Sequence, residues 1–526
     1  MHYAVVFVLL LAFVFGLGLL ARRLVVPYPI LFVIGGLCIS FVPNLPQLRL
    51  DPDFIFFIFL PPLLYIQAFN TSWRDFRREI RPISMLAIGL VLATTLTVAW
   101  VAHSIIPNFP FSAGLILGAI ISPPDAIAAS AIAQRLGLPR RAVTIIEGES
   151  LVNDATSLVL FKMALVAVAS SGPILGHAWT PGQFIFIPLG GICVGLAMGW
   201  FASLLRARIV NDGAQLVLTL SLVIPYASYL VAELLGFSAV LSVVASGFFV
   251  GWTSPEVITS GIRLQAQAVW EMIIYLLNGF IFVLIGLQLP GILAGMKDPW
   301  WQYPLLYAAI INVVCIVVRL GWIFPGAYLP RLLIPHIRRT EVCPDWRQVL
   351  IIGWCGMRGI VSLAASLALN GYPDIPYSHI IQFIAFSVIL TTLVFQGLTL
   401  PPLIRYLGVG DDGSDAKEER EARLRMSQAV FEKITEIRQG QKYPVPSLDH
   451  VEQIYRDRLA VLQDDLADEL GWSDRRHRIL SSRRLRHVML ATQRRTLLSL
   501  RRNGLIGDDV LHKIEHELDI EEAGLK

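Results

Sequence analysis

An all-α integral membrane protein is the fold class this sequence predicts, and three observations predict it. Of 526 residues, 55% are apolar and only 16% are charged, with a mean hydropathy of +0.62, whereas soluble globular chains carry about 25% charged residues. The apolar residues fall into about thirteen runs of about 17–25 residues, the length a helix needs to cross roughly 30 Å of hydrocarbon. Lysine and arginine gather in every second loop, as the positive-inside rule requires of a multi-pass chain.

The expected spans are 3–20, 25–42, 53–69, 83–104, 111–134, 142–170, 183–205, 216–235, 237–252, 267–288, 303–325, 347–369 and 380–405. The first could pass for a signal peptide, but no basic segment precedes it and Arg22 and Arg23 follow it, so it reads as a retained helix. Arg74, Arg77, Arg78, Arg81, Arg140, Arg141, Arg206, Arg208, Arg338 and Arg339 occupy loops on one side, against Arg49 and Lys297 on the other. This places the N-terminus outside the cell inner membrane and, with an odd number of spans, the C-terminus in the cytoplasm. The five cysteines show no CxxC spacing, so neither a metal cluster nor a disulfide framework is expected.

The character changes near Gly408. Residues 1–407 read as a transmembrane domain and 408–526 as a cytoplasmic helical tail with a possible regulatory role. Ile434, Ile437, Leu459, Leu462, Leu466, Ile514 and Leu518 recur at helical spacing, and Pro444 and Pro446 separate two segments. The basic cluster Arg475, Arg476, Arg478, Arg483, Arg484 and Arg486 suits an anionic membrane surface, although a solvated helix accounts for the same pattern.

Ionisable residues inside spanning helices are functional candidates by default, and here they concentrate in four places. The stretch Glu147, Glu149, Ser150, Asn153, Asp154 puts polar groups within two turns of one helix. Residues four apart share a face, so Glu149 stacks under Asn153 and Ser150 under Asp154. Asp154 is about twelve residues, or roughly 18 Å, from the helix's cytoplasmic end, near the midplane. At the second place, Ser122, Pro123, Pro124 and Asp125, two prolines interrupt an apolar run. Such breaks are tolerated in a bilayer where they line a cavity. The freed carbonyls can coordinate a cation, and Asp125 can answer the positive end of the following half-helix.

The third place is Arg319, a permanent charge deep in its run that needs an anion, with Glu149 best placed by depth. The fourth is Gly353, Gly356, Arg358 and Gly359, where glycines weaken the helix and Arg358 can meet the negative end of a half-helix. Two interrupted helices, one in each half of the chain, point to an inverted-repeat transporter with its site at the crossing.

The stretch PPDAIAA followed by EGESLVNDATSLVLF resembles the monovalent cation/proton antiporter-1 family of sodium/proton exchangers, in its bacterial NhaP-type and YjcE-type branches. The resemblance covers roughly the first 400 residues and is most specific in residues 149–154 and 356–359. It implies that Asp154 is the ion-binding aspartate, Asn153 its neighbour and Ser150 a further cation ligand. Asp125 matches the aspartate of the family's Thr-Asp-Pro motif. Glu149 and Arg319 match a buried ion pair that also holds Asn153. A homodimer is implied, each core domain moving against a dimerisation domain. Two positions depart from the family: its threonine is Pro124 here, leaving a backbone carbonyl, and the acid many relatives carry on the third helix is replaced by Ile66 with Gln67 beside it.

The expected function is exchange of Na⁺ or Li⁺ for H⁺ across the membrane, serving pH and sodium homeostasis. Asp154 would hold either ion but never both, giving electroneutral one-for-one exchange with no cofactor. K⁺/H⁺ exchange through the same residues is the alternative. A channel lacks a filter-like sequence, a sensor lacks a recognisable signalling set in the tail, and no catalytic spacing suggests an enzyme. No nucleic-acid partner is expected.

Overall fold

The computed structural model describes residues 2–24, 27–42, 52–169, 181–257, 260–294, 302–340, 343–372, 375, 377–410 and 413–439, with a few single positions beyond. Every regular element among them is helical. Two compact units emerge, Met1–Asp411 and Asp412–Lys526.

A helix covers each run expected from hydropathy. In the first unit these are α1 (His2–Leu24), α2 (Tyr28–Ser40), α3 (Pro52–Asn70), α4 (Ile80–Ile105), α5 (Phe111–Ile121), α6 (Ala126–Arg135), α7 (Arg140–Ala169), α8 (Pro181–Ile209), α9 (Ala214–Leu234), α10 (Ala239–Val257) and α11 (Ser260–Leu287). They continue with α12 (Gln302–Leu333), α13 (Trp346–Trp354), α14 (Ile360–Ala368) and α15 (Ser378–Leu407). Among the described residues, 7 helical stretches are long and apolar enough to cross a bilayer, and shorter apolar helices accompany them. Helix α7 is not in either group because its buried polar residues lower its hydropathy, yet its 30 residues extend about 45 Å.

The expected breaks are present: α5 stops before Pro123 and Pro124, and α13 and α14 are separated by residues 355–359. Pro61 and Pro62, by contrast, lie inside the continuous helix α3. Short helices at Trp73–Arg78, Leu289–Ala294 and Pro335–Thr340 lie outside the expected spans. The π-helical turns Met85–Leu90 in α4 and Thr392–Gln396 in α15 fall inside the expected spans 83–104 and 380–405, as local departures from the regular α-helix. A π turn leaves carbonyls out of the regular ladder, and the Met85 carbonyl accepts the Trp322 indole N–H at 3.1 Å.

Packing sorts the first unit into two groups. In one, α8 lies on α10, α10 on α3, and α2 on α11. In the other, α4 lies on α5, α5 on α7, and α12 and α14 on α15. Close approach in the second group depends on small residues. A Cβ at Gly114 or Gly118 of α5 would come within 2.8 Å of the Ala99 Cα or 2.7 Å of the Thr95 Cα of α4, the small-xxx-small contact by which membrane helices dock. Helix α3 forms the border, touching both α7 and α14.

In the second unit, α16 (Ser414–Gln439) is a charged surface helix. Arg425 pairs with Glu421 at 2.5 Å and Lys433 with Glu436 at 2.8 Å, while Ile434 is buried. Arg49, Lys297, Pro444, Pro446 and the basic cluster from Arg475 to Arg486 lie outside the described residues, as do Leu459, Leu462, Leu466 and Ile514.

Candidate ion-exchange site at the crossing of two broken helices

Prolines at 123 and 124 end α5 because neither can donate to the preceding turn. The chain then runs extended into Asp125, whose backbone N–H donates to the Met357 carbonyl at 2.7 Å. One broken segment is thus hydrogen-bonded directly to the other. Asp125 caps α6, its Oδ1 accepting the Ile127 N–H at 2.8 Å, so a carboxylate faces a positive helix end. Its Oδ2 is buried without a hydrogen-bond partner. At Gly359 a Cβ would overlap the Asp125 carboxylate, so glycine is needed there for the two breaks to meet.

Arg358 closes the crossing from the other side. It is 2% exposed, and its Nε donates to the Ile121 carbonyl at 2.8 Å. That carbonyl lies at the negative end of α5, the opposite broken helix rather than Arg358's own. A guanidinium N–H also reaches the Gly356 carbonyl. The Arg358 backbone N–H donates to Thr392 Oγ1 at 3.0 Å, in the π turn of α15.

Helix α7 supplies the remaining groups. Ser150 Oγ accepts the Ala126 N–H at 3.2 Å. Asn153 is fully buried and donates through Nδ2 to the Pro124 carbonyl at 2.9 Å. Glu149 takes two hydrogen bonds from Arg319, at 2.6 and 2.8 Å. Arg319 donates further to the Gly353 and Ile352 carbonyls, at 3.0 and 3.2 Å, at the end of α13. The Glu149–Arg319 pair is therefore as expected, but it does not hold Asn153. Asn153 turns instead to the extended break between α5 and α6, leaving its Oδ1 without a partner, because Arg319 is fully engaged by Glu149 and two carbonyls.

Asp125, Ser150, Asp154 and Gln67 line one cavity of about 30 Å³. About 10–15 Å³ admits one water, so the space suits a small, largely dehydrated ion. Asn153 and the Glu149–Arg319 pair stand behind it. Sequence reasoning did not single out Ser362, one turn beyond Gly359, which also lines the cavity and whose buried hydroxyl has no partner. Its helical offset from the glycine break was the available signal. Leu60, Leu63 and Leu64 of α3 form an apolar wall opposite. A second cavity, of about 610 Å³, reaches Ala155, the residue after Asp154. Lys162 and Glu233 line it and pair at 3.3 Å. The carboxylates and hydroxyls together make a donor set for a hard cation, while Pro124, whose carbonyl accepts from Asn153, and Asn153 itself are not among the residues lining the cavity.

The family model described as sodium/hydrogen exchanger, transmembrane, matches residues 9–406. The chain belongs to the sodium/hydrogen exchanger family. This exchanger is 35% identical to an uncharacterized Na⁺/H⁺ exchanger of Mycobacterium tuberculosis, over 99% of this chain and 96% of that protein. It is 30% identical to the uncharacterized Na⁺/H⁺ exchanger YjcE of Escherichia coli, over 95% and 94% of the two chains. A sodium, potassium, lithium and rubidium/H⁺ antiporter of Bacillus subtilis shares 30% identity over 75% of this chain and 61% of its own. Among solved structures, the sodium proton antiporter MjNhaP1 of Methanocaldococcus jannaschii has the same fold, with a TM-score of 0.55 and 20% identity over 77% of this chain and 99% of that one. The exchanger is a multi-pass membrane protein that exchanges a monovalent cation for protons; it is a transporter and not an enzyme.

Proposed function

We propose that the exchanger carries Na⁺ against H⁺ with one-to-one stoichiometry, and that both ions compete for Asp154. The convergence of Asp154, Asp125, Ser150 and Gln67 on one small cavity carries this reading. In it the cation is held by Asp154, Asp125, Ser150 and the Pro124 carbonyl, with Ser362 completing the donor set. Asn153, Glu149, Arg319 and Arg358 fix the frame, and Gln67 borders the cavity from α3. An empty carboxylate facing the apolar wall of α3 is costly. Only the proton-loaded or cation-loaded form then crosses that wall, which couples the two fluxes. Asn153 is neutral, Glu149 is neutralised by Arg319, and Asp125 stays fixed as the cap of α6; in this reading Asp154 alone changes partner in each cycle and no net charge moves.

The basic loops set the N-terminus outside the plasma membrane and the C-terminus in the cytoplasm. Residues 1–407 form the transport domain and 408–526 a cytoplasmic tail. The exchanger works as a homodimer in pH and sodium homeostasis. K⁺/H⁺ exchange through the same site is the second reading, favoured by the uncharged Ile66 and Gln67 on α3, which add no further carboxylate to the site.

Proton movement in everted vesicles tests this: a pH gradient is formed and Na⁺, Li⁺ or K⁺ is added in turn. The proposal expects Na⁺ to dissipate the gradient without generating a current. Dissipation by K⁺ alone selects the second reading, and a Na⁺-driven current refutes the stoichiometry.

A further inference from the structure

A third cavity, of about 430 Å³, lies behind α3, away from the ion site and within the other helix group. Its volume is that of a small-ligand pocket, about 300–1,000 Å³. At one end stands Arg206, in the last turn of α8. Arg206 is 5% exposed, and its only hydrogen bond among the described residues is a long one, 3.4 Å, to Ser203 Oγ. No described carboxylate pairs with it. A buried permanent charge demands an anion. The negative end of α8 offers only a partial one, and it leaves the space beside the guanidinium unexplained.

The rest of the cavity is deep and mostly apolar, with Asn70, Ser221, Ser254 and Gln267 among its polar lining residues. Arg206 is about three residues from the end of α8, at headgroup level. Ile224, also in the lining, is about ten residues into α9, or roughly 15 Å. Ile274, likewise in the lining, is about fourteen residues into α11, or roughly 21 Å. The floor is Tyr65, stacked on Trp270 with ring centroids 5.9 Å apart, and the Trp270 indole donates to Ser221 at 3.2 Å. Arg263 and Glu271 also line the cavity, Glu271 accepting from Gln267 at 2.9 Å. A cation at the interface above an apolar shaft is the complement of an anionic amphiphile.

We propose that this cavity binds an anionic phospholipid, its phosphate on Arg206 and one acyl chain in the shaft between α3, α9 and α11. A free phosphate would satisfy Arg206 and leave the shaft empty, so the lipid is the better match. Its assignment to the cytoplasmic leaflet rests on the orientation proposed above; the site itself does not.

The position matters for transport. Leu60, Leu63, Leu64 and Gln67 of α3 face the ion cavity, spaced as one helical face. Tyr65, Ile66 and Phe69 face the lipid cavity. A bound chain therefore braces the wall against which the ion site works, and its loss changes the cation KM.

The test is thermal unfolding of the full-length, delipidated exchanger with phosphatidylglycerol, phosphatidylcholine or inorganic phosphate added separately. Phosphatidylglycerol should raise the midpoint by several degrees, by mass action on the folded state; the other two should not. Arg206→Gln should lose the response, while Arg208→Gln, an exposed charge two residues away, should keep it. Ala266→Phe fills the cavity and retains the charge; it should also lose the response, and it decides the matter if Arg206→Gln fails to fold. A native-like response in Ala266→Phe overturns the proposal, as does a response retained by folded Arg206→Gln. An equal shift with inorganic phosphate alone overturns the lipid and leaves a soluble anion. None of these readouts requires transport, so they stand apart from the ion-exchange reading.

Discussion

Removing Arg319 tests the frame of the site most severely. Arg319 is 2% exposed and Glu149 is 1% exposed, and two hydrogen bonds join them. Replacing Arg319 by alanine leaves a carboxylate buried without its partner, a loss of about 3–5 kcal/mol. The carbonyls of Gly353 and Ile352 lose their donor as well, and an unsatisfied buried acceptor costs about 1–3 kcal/mol. The two contributions overlap, so we expect Arg319→Ala to be destabilised by about 4 kcal/mol. Replacing both partners by methionine removes the stranded charge, and buried pairs exchanged for well-packed apolar residues are often neutral or stabilising by about 1–4 kcal/mol. The double variant should therefore be more stable than Arg319→Ala. Reversible unfolding in mixed detergent, followed by tryptophan fluorescence, measures both. Arg319→Ala within about 1 kcal/mol of the native protein would refute the reasoning, because an unpaired buried carboxylate cannot be that cheap.

Asp154→Asn should abolish exchange while leaving expression and thermal stability intact; transport retained by this variant would move the exchange site elsewhere. Gly359→Ala drives a methyl group into the Asp125 carboxylate and should cost about 1–3 kcal/mol together with most of the transport rate; native-like flux would mean that the two breaks do not need to meet so closely. Ser362→Ala should raise the cation KM several-fold with little change in maximal rate, and an unchanged KM for every cation tested would remove Ser362 from the donor set.

Much of the helix inventory was legible because a bilayer imposes both length and apolarity on a span. The two breaks were legible because Pro123, Pro124 and the glycines from 353 to 359 act through the local backbone. The Glu149–Arg319 pair was legible because a permanent charge at that depth has few anions to meet. Long-range hydrogen bonding was not. Nothing local says that Arg358 reaches Ile121 on the opposite broken helix, or that Asn153 turns to Pro124 rather than to Arg319. The π turns at Met85–Leu90 and Thr392–Gln396 were also hidden, because they arise where a tertiary partner claims a backbone or hydroxyl group. Ser362 was missed because one serine in an apolar helix is ordinary until the glycine break one turn earlier is seen to aim it at the cavity. The cavity behind α3 was invisible for the same reason: Arg206 reads as one more basic residue at a loop until its burial is known.

The most direct test of the central claim is proton release on cation binding. Purified exchanger in weakly buffered detergent solution is titrated with Na⁺, Li⁺ or K⁺ while the pH is recorded, alongside Asp154→Asn. Competition at one carboxylate predicts that the transported cation releases up to one proton per protomer from the native protein, and that Asp154→Asn releases none. Cation binding without proton release in the native protein, or equal release from Asp154→Asn, would contradict it.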